Sequence, residues 1–148
     1  MFDRTVGSIM QERKVLKAAP GTLVSKAAKL MAARNVGAIM VVERDRLVGI
    51  FTERDVVFRV VARGLDVQAT RLSEVMTRAP LTVDPDTPFG YALVVMQENG
   101  FRHLPVIKDG KPVGIISARS AMDPELEEFA SEVRRREHWK ERARQRRS

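Results

Sequence analysis

The chain contains one sequence pattern twice, and this internal repeat constrains the fold more than any other feature. The segment Gly49-Ile50-Phe51-Thr52 returns 65 residues later as Gly114-Ile115-Ile116-Ser117. At this offset seven of the 32 residues between 25 and 56 are identical, whereas about two identities are expected from average residue usage. Because units of about 60 residues are only marginally stable alone, we expect the two copies to share one core.

The apolar spacing and the turn residues predict the elements of repeat one. A short strand over residues 15–17 precedes a helix over residues 23–35, which Thr22 caps and Gly37 ends. Two strands joined by a charged turn then follow, over residues 38–42 and 47–51.

A second helix completes repeat one, because Thr52 is a suitable cap, acidic residues occupy the first turn and Gly64 closes the segment. Repeat two has the same order of elements, with Thr87 as the cap of its first helix. Its predicted strands cover residues 82–83, 103–107 and 112–116. We therefore predict an α/β (α+β) fold of two β-α-β-β-α repeats packed with pseudo-twofold symmetry.

The basic residues concentrate at the C-terminus. Residues 133–148 contribute +6 of the formal net charge of +7, since they hold eight basic and two acidic residues. An acid-rich start at Asp123 and this basic end favour a long, exposed C-terminal helix. We expect residues 1–67 to form repeat one, 68–122 repeat two and 123–148 the basic helical tail.

Several function classes lack the residues they need. The chain has no Cys, which excludes disulfides, thiolate metal sites and thiol nucleophiles. Its two His have no metal-ligand spacing, and it has neither a Gly-x-Ser-x-Gly elbow nor a Walker-type loop. We therefore expect no enzyme activity, no catalytic cofactor and no metal.

The same sequence argues for a cytoplasmic protein. No stretch approaches the ~20 apolar residues of a membrane span. Residues 1–10 lack the apolar run of a secretory signal. We expect a soluble, unprocessed chain with no membrane partner.

Together these residues resemble a known family, the paired cystathionine-β-synthase (CBS) domains or Bateman module, and in particular its stand-alone bacterial members. The resemblance covers roughly residues 6–122 and rests on the repeat length, the element order and the two Gly-hydrophobic-hydrophobic-Thr/Ser segments. It implies a non-catalytic regulatory module that binds an adenosine-containing ligand between the repeats, such as AMP, ADP, ATP, S-adenosylmethionine or NAD, with AMP or ATP favoured. It also implies a homodimer that regulates another, unidentified protein.

Thr52 and Asp55 are the leading candidates for ligand contacts. Thr52 ends a strand and begins a helix, so its hydroxyl and the first helix N–H groups can meet a phosphate. Asp55 lies one turn further on, where its carboxylate can accept hydrogen bonds from the hydroxyls of a ribose. Glu53 and Arg54 lie between them, and Gly49 allows close approach of a ligand or a strand. The alternative is that Thr52 and Asp55 form only a capping box.

The resemblance implies that two further segments complete the Asp55 site. They are an adenine wall and the segment that begins repeat two: Gly37, Ala38, Ile39, Met76, Thr77, Arg78 and Pro80. Plain core packing is the alternative for residues 37–39.

Repeat two differs at the equivalent positions, Ser117, Arg119 and Ser120. Since Ser120 replaces Asp55, we expect a second site that is weaker, empty or altered in specificity. Family pairs often carry phosphate-binding basic residues just before the central strand, so we place Arg102 or His103 against a phosphate. The alternative is that His103 is a strand residue satisfied by a backbone partner.

The basic tail offers an alternative function. A concentration of positive charge can bind nucleic acid or an acidic protein partner. Trp139 is the one aromatic residue of residues 133–148, so nucleic-acid bases have little to stack on. An adaptor acting through the tail is therefore the second hypothesis beside the nucleotide sensor.

Overall fold

A computed structural model of the chain describes residues 4–10, 15–121 and 123–147, with the side chains of residues 120–131 and 147 outside the description. The helices are α1 (Val6–Ile9), α2 (Val24–Arg34), α3 (Glu53–Asp55), α4 (Leu72–Val75), α5 (Phe89–Asn99) and α6 (Asp123–Arg147). The strands are β1 (Lys17–Ala18), β2 (Ala38–Glu43), β3 (Arg46–Thr52), β4 (Thr77–Arg78), β5 (His103–Lys108) and β6 (Lys111–Ser117). A π-helical segment (Val56–Val61) continues α3, and a 3₁₀ turn (Ala118–Ala121) follows β6.

The structure keeps the 65-residue offset of the sequence element by element. The pairs α2 and α5, β2 and β5, and β3 and β6 all begin and end 65 residues apart. Both helices end on a residue in the left-handed region, Asn35 (φ 52°) and Gly100 (φ 69°), so the predicted terminator Gly37 is wrong. The predicted fold class of two α/β repeats and a C-terminal helix is confirmed.

The strands form two sheets. The first has the order β1-β2-β3-β4, in which β1 is parallel to β2 and the other pairs are antiparallel. The second consists of the antiparallel pair β5-β6. The predicted strand over residues 82–83 is reduced to an isolated parallel bridge between Val83 and Val106. This bridge is the counterpart of the β1-β2 pair between Ala18 and Val41.

The predicted helix caps at Thr22 and Thr87 are wrong by one residue. The N-cap positions are Leu23 in α2 and Pro88 in α5, and neither side chain accepts a hydrogen bond from its helix. Backbone carbonyl groups of distant segments accept these hydrogen bonds instead: the N–H of Val24 donates to Thr70, and the N–H of Phe89 donates to Arg4. A tertiary partner has thus replaced the local cap that the sequence suggested.

The buried apolar residues form two clusters rather than the single shared core predicted from the repeat. The first cluster includes Leu72, Val75 and Met76, which lie beyond the predicted boundary between residues 67 and 68. The second includes Val6, at the start of repeat one. That boundary stays a prediction, but each core is completed by a short helix from outside its own repeat.

Met76 and Met10, the C-cap residues of α4 and α1, pack against Gly49 and Gly114 in equivalent positions. A Cβ on Gly49 would overlap Met76 Sδ and lie 3.0 Å from the carbonyl oxygen of Thr77 in β4. A Cβ on Gly114 would lie 2.7 Å from Met10 Sδ. The expected close approach of a neighbouring strand to Gly49 is therefore confirmed, and it ties α4 and β4 to the first sheet.

The C-terminal helix α6 is exposed, as predicted for the tail. Every side chain described between residues 132 and 146 faces solvent, and Trp139 keeps 69% of its surface exposed. Glu132 and Arg136 form an ion pair with a 2.8 Å contact along the helix. Within the described residues, no helix combines the length and the apolar character needed to cross a membrane.

Candidate functional site

Among the described residues, two cavities of about 870 Å³ each lie where the repeats meet. We name them the Asp55 cavity, lined by residues of α3, β4 and the loop before β5, and the Arg119 cavity, lined by residues of α2, β2 and the end of β6. They share a wall made of Glu53, Val57, Arg102 and His103. Volumes of this size are typical of small-ligand sites.

Most of the predicted site residues lie along one of these cavities. The Asp55 cavity is lined by Thr52, Glu53, Arg54, Asp55, Thr77, Pro80, Arg102 and His103. The Arg119 cavity is lined by Gly37, Ala38, Glu53, Arg102, His103, Ser117 and Arg119. The side chain of Ser120 lies outside the described residues.

Three predicted residues line neither cavity. Ile39 is fully buried in the first core, and Met76 packs against Gly49. The guanidinium of Arg78 points to α4, where Nη2 donates to the carbonyl oxygen of Ser73 at 3.0 Å. The core and α4 occupy these side chains, so their place in the site stays a prediction that this geometry does not support.

The residues predicted as the adenine wall do not line the Asp55 cavity. Gly37 and Ala38 face the other cavity, and the wall beside Asp55 comes from residues 99–103, which include the partly exposed Phe101. The internal repeat held the information needed to find this segment. Arg102 and His103 are the equivalents of residues 37 and 38 in the second repeat, 65 residues later. They line the Asp55 cavity because each cavity pairs the helix start of one repeat with the first central strand of the other.

Thr52 and Asp55 form the capping box that the sequence left as an alternative. Asp55 Oδ2 accepts from the N–H of Thr52 at 2.9 Å and from its hydroxyl at 3.2 Å, and the hydroxyl accepts from the N–H of Asp55 at 3.4 Å. The N–H of Glu53 donates to the carbonyl oxygen of Gly37 at 3.0 Å. The N–H groups of Glu53 and Asp55, which were predicted to meet a phosphate, therefore donate to protein acceptors instead. Asp55 Oδ1 is the carboxylate oxygen that lies outside the capping box.

Arg59 contacts this second oxygen, a role that was missing from the predicted site. Its Nε lies 3.5 Å from Asp55 Oδ1. Its Nη1 donates to the carbonyl oxygens of Val75 at 3.3 Å and Met76 at 3.0 Å, where α4 ends. The spacing of four residues from Asp55 could have indicated the pair, since such residues are neighbours on a helix.

Guanidinium groups make the Asp55 cavity positive. Arg54, Arg63 and Arg102 line it together with Arg59, against the carboxylates of Glu53 and Asp55. The Arg54 guanidinium lies 4.6 Å from the centre of the Phe58 ring, a cation–π contact. Four cations and two anions favour an anionic ligand, and guanidinium groups suit phosphate oxygens in particular.

In the shared wall, His103 is the residue whose pKa is shifted from its ordinary value. Burial lowers its pKa below 6.5, Arg102 lowers the pKa further, and Glu53 acts in the opposite direction. The imidazole is therefore neutral at pH 7 and offers one donor and one acceptor. His103 also pairs with Ser117 in the β5-β6 ladder, so it is both a strand residue and a cavity residue.

Metal ligation has no visible support in the part of the chain that the structure describes, where no group of three His, Asp or Glu side chains converges.

Comparison with known proteins gives a family match over most of the chain. The model of the CBS domain matches twice, over residues 6–62 and 72–124. The Meiotically up-regulated gene 70 protein of Schizosaccharomyces pombe is 38% identical over 120 residues, covering 74% of this chain and 16% of that protein. The chain thus spans only a small part of this relative.

Two solved structures are similar in both fold and sequence. A putative signal-transduction protein with CBS domains from Burkholderia ambifaria is 34% identical, with a TM-score of 0.77 and coverage of 82% of this chain and 93% of that one. A CBS domain protein from Pyrobaculum aerophilum, complexed with AMP, is 26% identical, with a TM-score of 0.72 and coverage of 78% and 88%.

Proposed function

The chain belongs to the CBS domain family, and from this premise we propose that it is a non-catalytic sensor that binds an adenosine nucleotide in the Asp55 cavity. One observation carries the proposal: this cavity combines a buried carboxylate, four arginines and a partly apolar wall, and both repeats contribute to it. The AMP complex of the similar Pyrobaculum aerophilum protein supports the class of ligand.

Each part of the nucleotide has a matching part of the cavity. Asp55 Oδ1 accepts a hydrogen bond from a ribose hydroxyl, while Thr52 holds Oδ2. Arg54, Arg63 and Arg102 bind the phosphates as charge-assisted donors. The base lies against the apolar part of the wall, which consists of Ile50, Pro80, Leu81 and Phe101.

AMP, ADP and ATP fit this arrangement best among the adenosine ligands. Each carries one ribose for Asp55 and a phosphate group for the arginines. NAD, with two riboses, needs a longer site. The Arg119 cavity is the weaker second site, because repeat two has Ser120 where repeat one has Asp55.

A calorimetric titration of the full chain with AMP, ADP, ATP and NAD tests the proposal. We expect about one strong site per chain and a loss of affinity of tenfold or more in Asp55→Asn, since a hydrogen bond to a charged group contributes about 1.5–3 kcal/mol. Asp109→Asn is the matched control, because Asp109 is an exposed turn residue with φ 53°, which asparagine tolerates. Absence of binding by all four nucleotides would reject the proposal, and full affinity in Asp55→Asn would move the site elsewhere.

The same sensor would act as a homodimer on an unidentified protein. Two described helical segments present apolar side chains to solvent, Val57, Phe58 and Val61 beside α3 and Tyr91 and Val94 on α5, each at least 49% exposed. An exposed apolar face of this kind is typical of an interface. Sedimentation of Val61→Asp beside the wild type tests the dimer, and an unchanged mass would contradict this surface.

A second function has one observation in its favour, the exposure of the basic helix α6 over residues 132–146. In this role the helix binds a polyanion, and its affinity falls steeply with salt. Removing residues 133–148 should abolish such binding. Equal binding of a DNA duplex by the shortened chain would exclude the tail as the binding segment.

A further inference from the structure

The two oxygens of the Asp55 carboxylate have different surroundings. Oδ2 accepts two hydrogen bonds from Thr52, so its acceptor capacity is used within the capping box. Oδ1 has one contact, with Arg59 Nε at 3.5 Å. A ligand that approaches this carboxylate therefore meets Oδ1 and the guanidinium together.

Arg59 is itself held at its other end. Its Nη1 donates to two carbonyl oxygens at the end of α4, those of Val75 and Met76. A guanidinium at the C-terminal end of a helix is favourable, because the last carbonyl groups have no partner within the helix. The Arg59 side chain is only 37% exposed, and that of Asp55 only 11%. The fork of Arg59 thus connects Asp55 to the backbone of α4.

The backbone around Arg59 has an uncommon geometry. Val56–Val61 is π-helical, with a backbone hydrogen bond from the N–H of Ala62 to the carbonyl oxygen of Val57. Such widened turns are rare and occur frequently at functional sites. Here the widened turn carries Arg59 while α3 carries Asp55.

We infer that Arg59 is a positioning residue, which directs Asp55 Oδ1 toward the vicinal hydroxyls of the ribose of a bound nucleotide and so makes the Asp55 cavity selective for ribose over 2′-deoxyribose. This inference rests on the proposed function. What distinguishes Arg59 from Arg54, Arg63 and Arg102 in the same cavity is its contact with the Asp55 carboxylate.

The experiment compares the affinities of AMP and 2′-deoxyAMP in the full chain by calorimetry. The wild type should bind AMP about tenfold more tightly, the effect of one hydrogen bond to a charged group. In Arg59→Gln the ratio of the two affinities should fall close to one, because loss of the cation weakens both nucleotides, whereas only AMP also loses the ribose contact. Arg59→Lys keeps a cation and a donor, so it should retain part of the preference.

Arg63→Gln is the matched control, because Arg63 lines the same cavity from the same helical segment. It should weaken both nucleotides equally and leave their ratio unchanged. Thermal unfolding of each variant checks that the chain is folded, and Arg59→Lys serves if Arg59→Gln does not fold. An unchanged ratio in the Arg59 variants that bind would overturn the inference alone. Failure of the wild type to bind either nucleotide would overturn the proposed function and the inference with it.

Discussion

The exchange of short helices between the repeats predicts that residues 1–67 cannot fold alone, although they contain the whole of the first repeat as the sequence delimits it. Such a fragment lacks Leu72, Val75 and Met76, whose exposed fractions in the structure are 0%, 1% and 7%. Burying a side chain of this type contributes about 1.5–3 kcal/mol, so the three together contribute about 5–9 kcal/mol. The total stability of a small domain is only about 5–15 kcal/mol.

The test is urea unfolding of two fragments, residues 1–67 and 1–79, followed by far-ultraviolet circular dichroism. The longer fragment restores α4 and β4 and should unfold cooperatively, whereas the shorter one should show no cooperative transition. Leu72→Ala in the longer fragment should lower its free energy of unfolding by about 2–5 kcal/mol. A cooperative transition of residues 1–67 at the same urea concentration as the longer fragment would refute the reasoning.

Three further changes have defined outcomes. Gly49→Ala should lower the free energy of unfolding of the full chain by about 1–3 kcal/mol in urea, because the new methyl group overpacks against Met76 and Thr77. The control Gly21→Ala, whose Cβ would meet only Arg71 Nη1 at 3.7 Å, should leave the stability nearly unchanged. Equal destabilisation by the two substitutions would contradict overpacking at Gly49. Folding lowers the pKa of His103, so the unfolded chain binds more protons than the folded chain below pH 6.5. The free energy of unfolding should therefore fall between pH 7 and 5, and this fall should be smaller in His103→Gln. A fall of the same size in both chains would rule out His103 as its source. Removal of residues 133–148 should leave nucleotide affinity within twofold of the full chain, because the tail lies outside the Asp55 cavity, and a larger loss in calorimetry would place the tail in the site.

Local features of the fold followed from the sequence. The resemblance to CBS domains is confirmed by two family-model matches, and the repeat predicted the paired elements because each copy carries its own apolar periodicity. The capping box of Thr52 and Asp55 was readable because both partners lie within one turn. What these features share is that neighbouring residues determine them.

The features that the sequence did not reveal depend on contacts between distant segments. The caps at Thr22 and Thr87 failed because carbonyl groups of other segments take the helix N–H bonds. Gly37 and Ala38 line the Arg119 cavity instead of the Asp55 cavity because the cavities pair one repeat with the other, a relation that one-dimensional order does not contain. The position of the Arg59 side chain was not predictable for a similar reason, because the carbonyl groups that hold it lie at the end of α4, 16 and 17 residues away in the sequence.

The wall that Glu53, Arg102 and His103 form between the two cavities has a thermodynamic consequence. A ligand that moves these side chains to fit one cavity changes the shape and charge of the other, so the two binding free energies contain a common coupling term. That term is reciprocal by necessity: the factor by which the first ligand alters the affinity of the second equals the factor in the opposite direction. With ligands in both cavities, as proposed for this chain, the shared side chains would couple the two affinities.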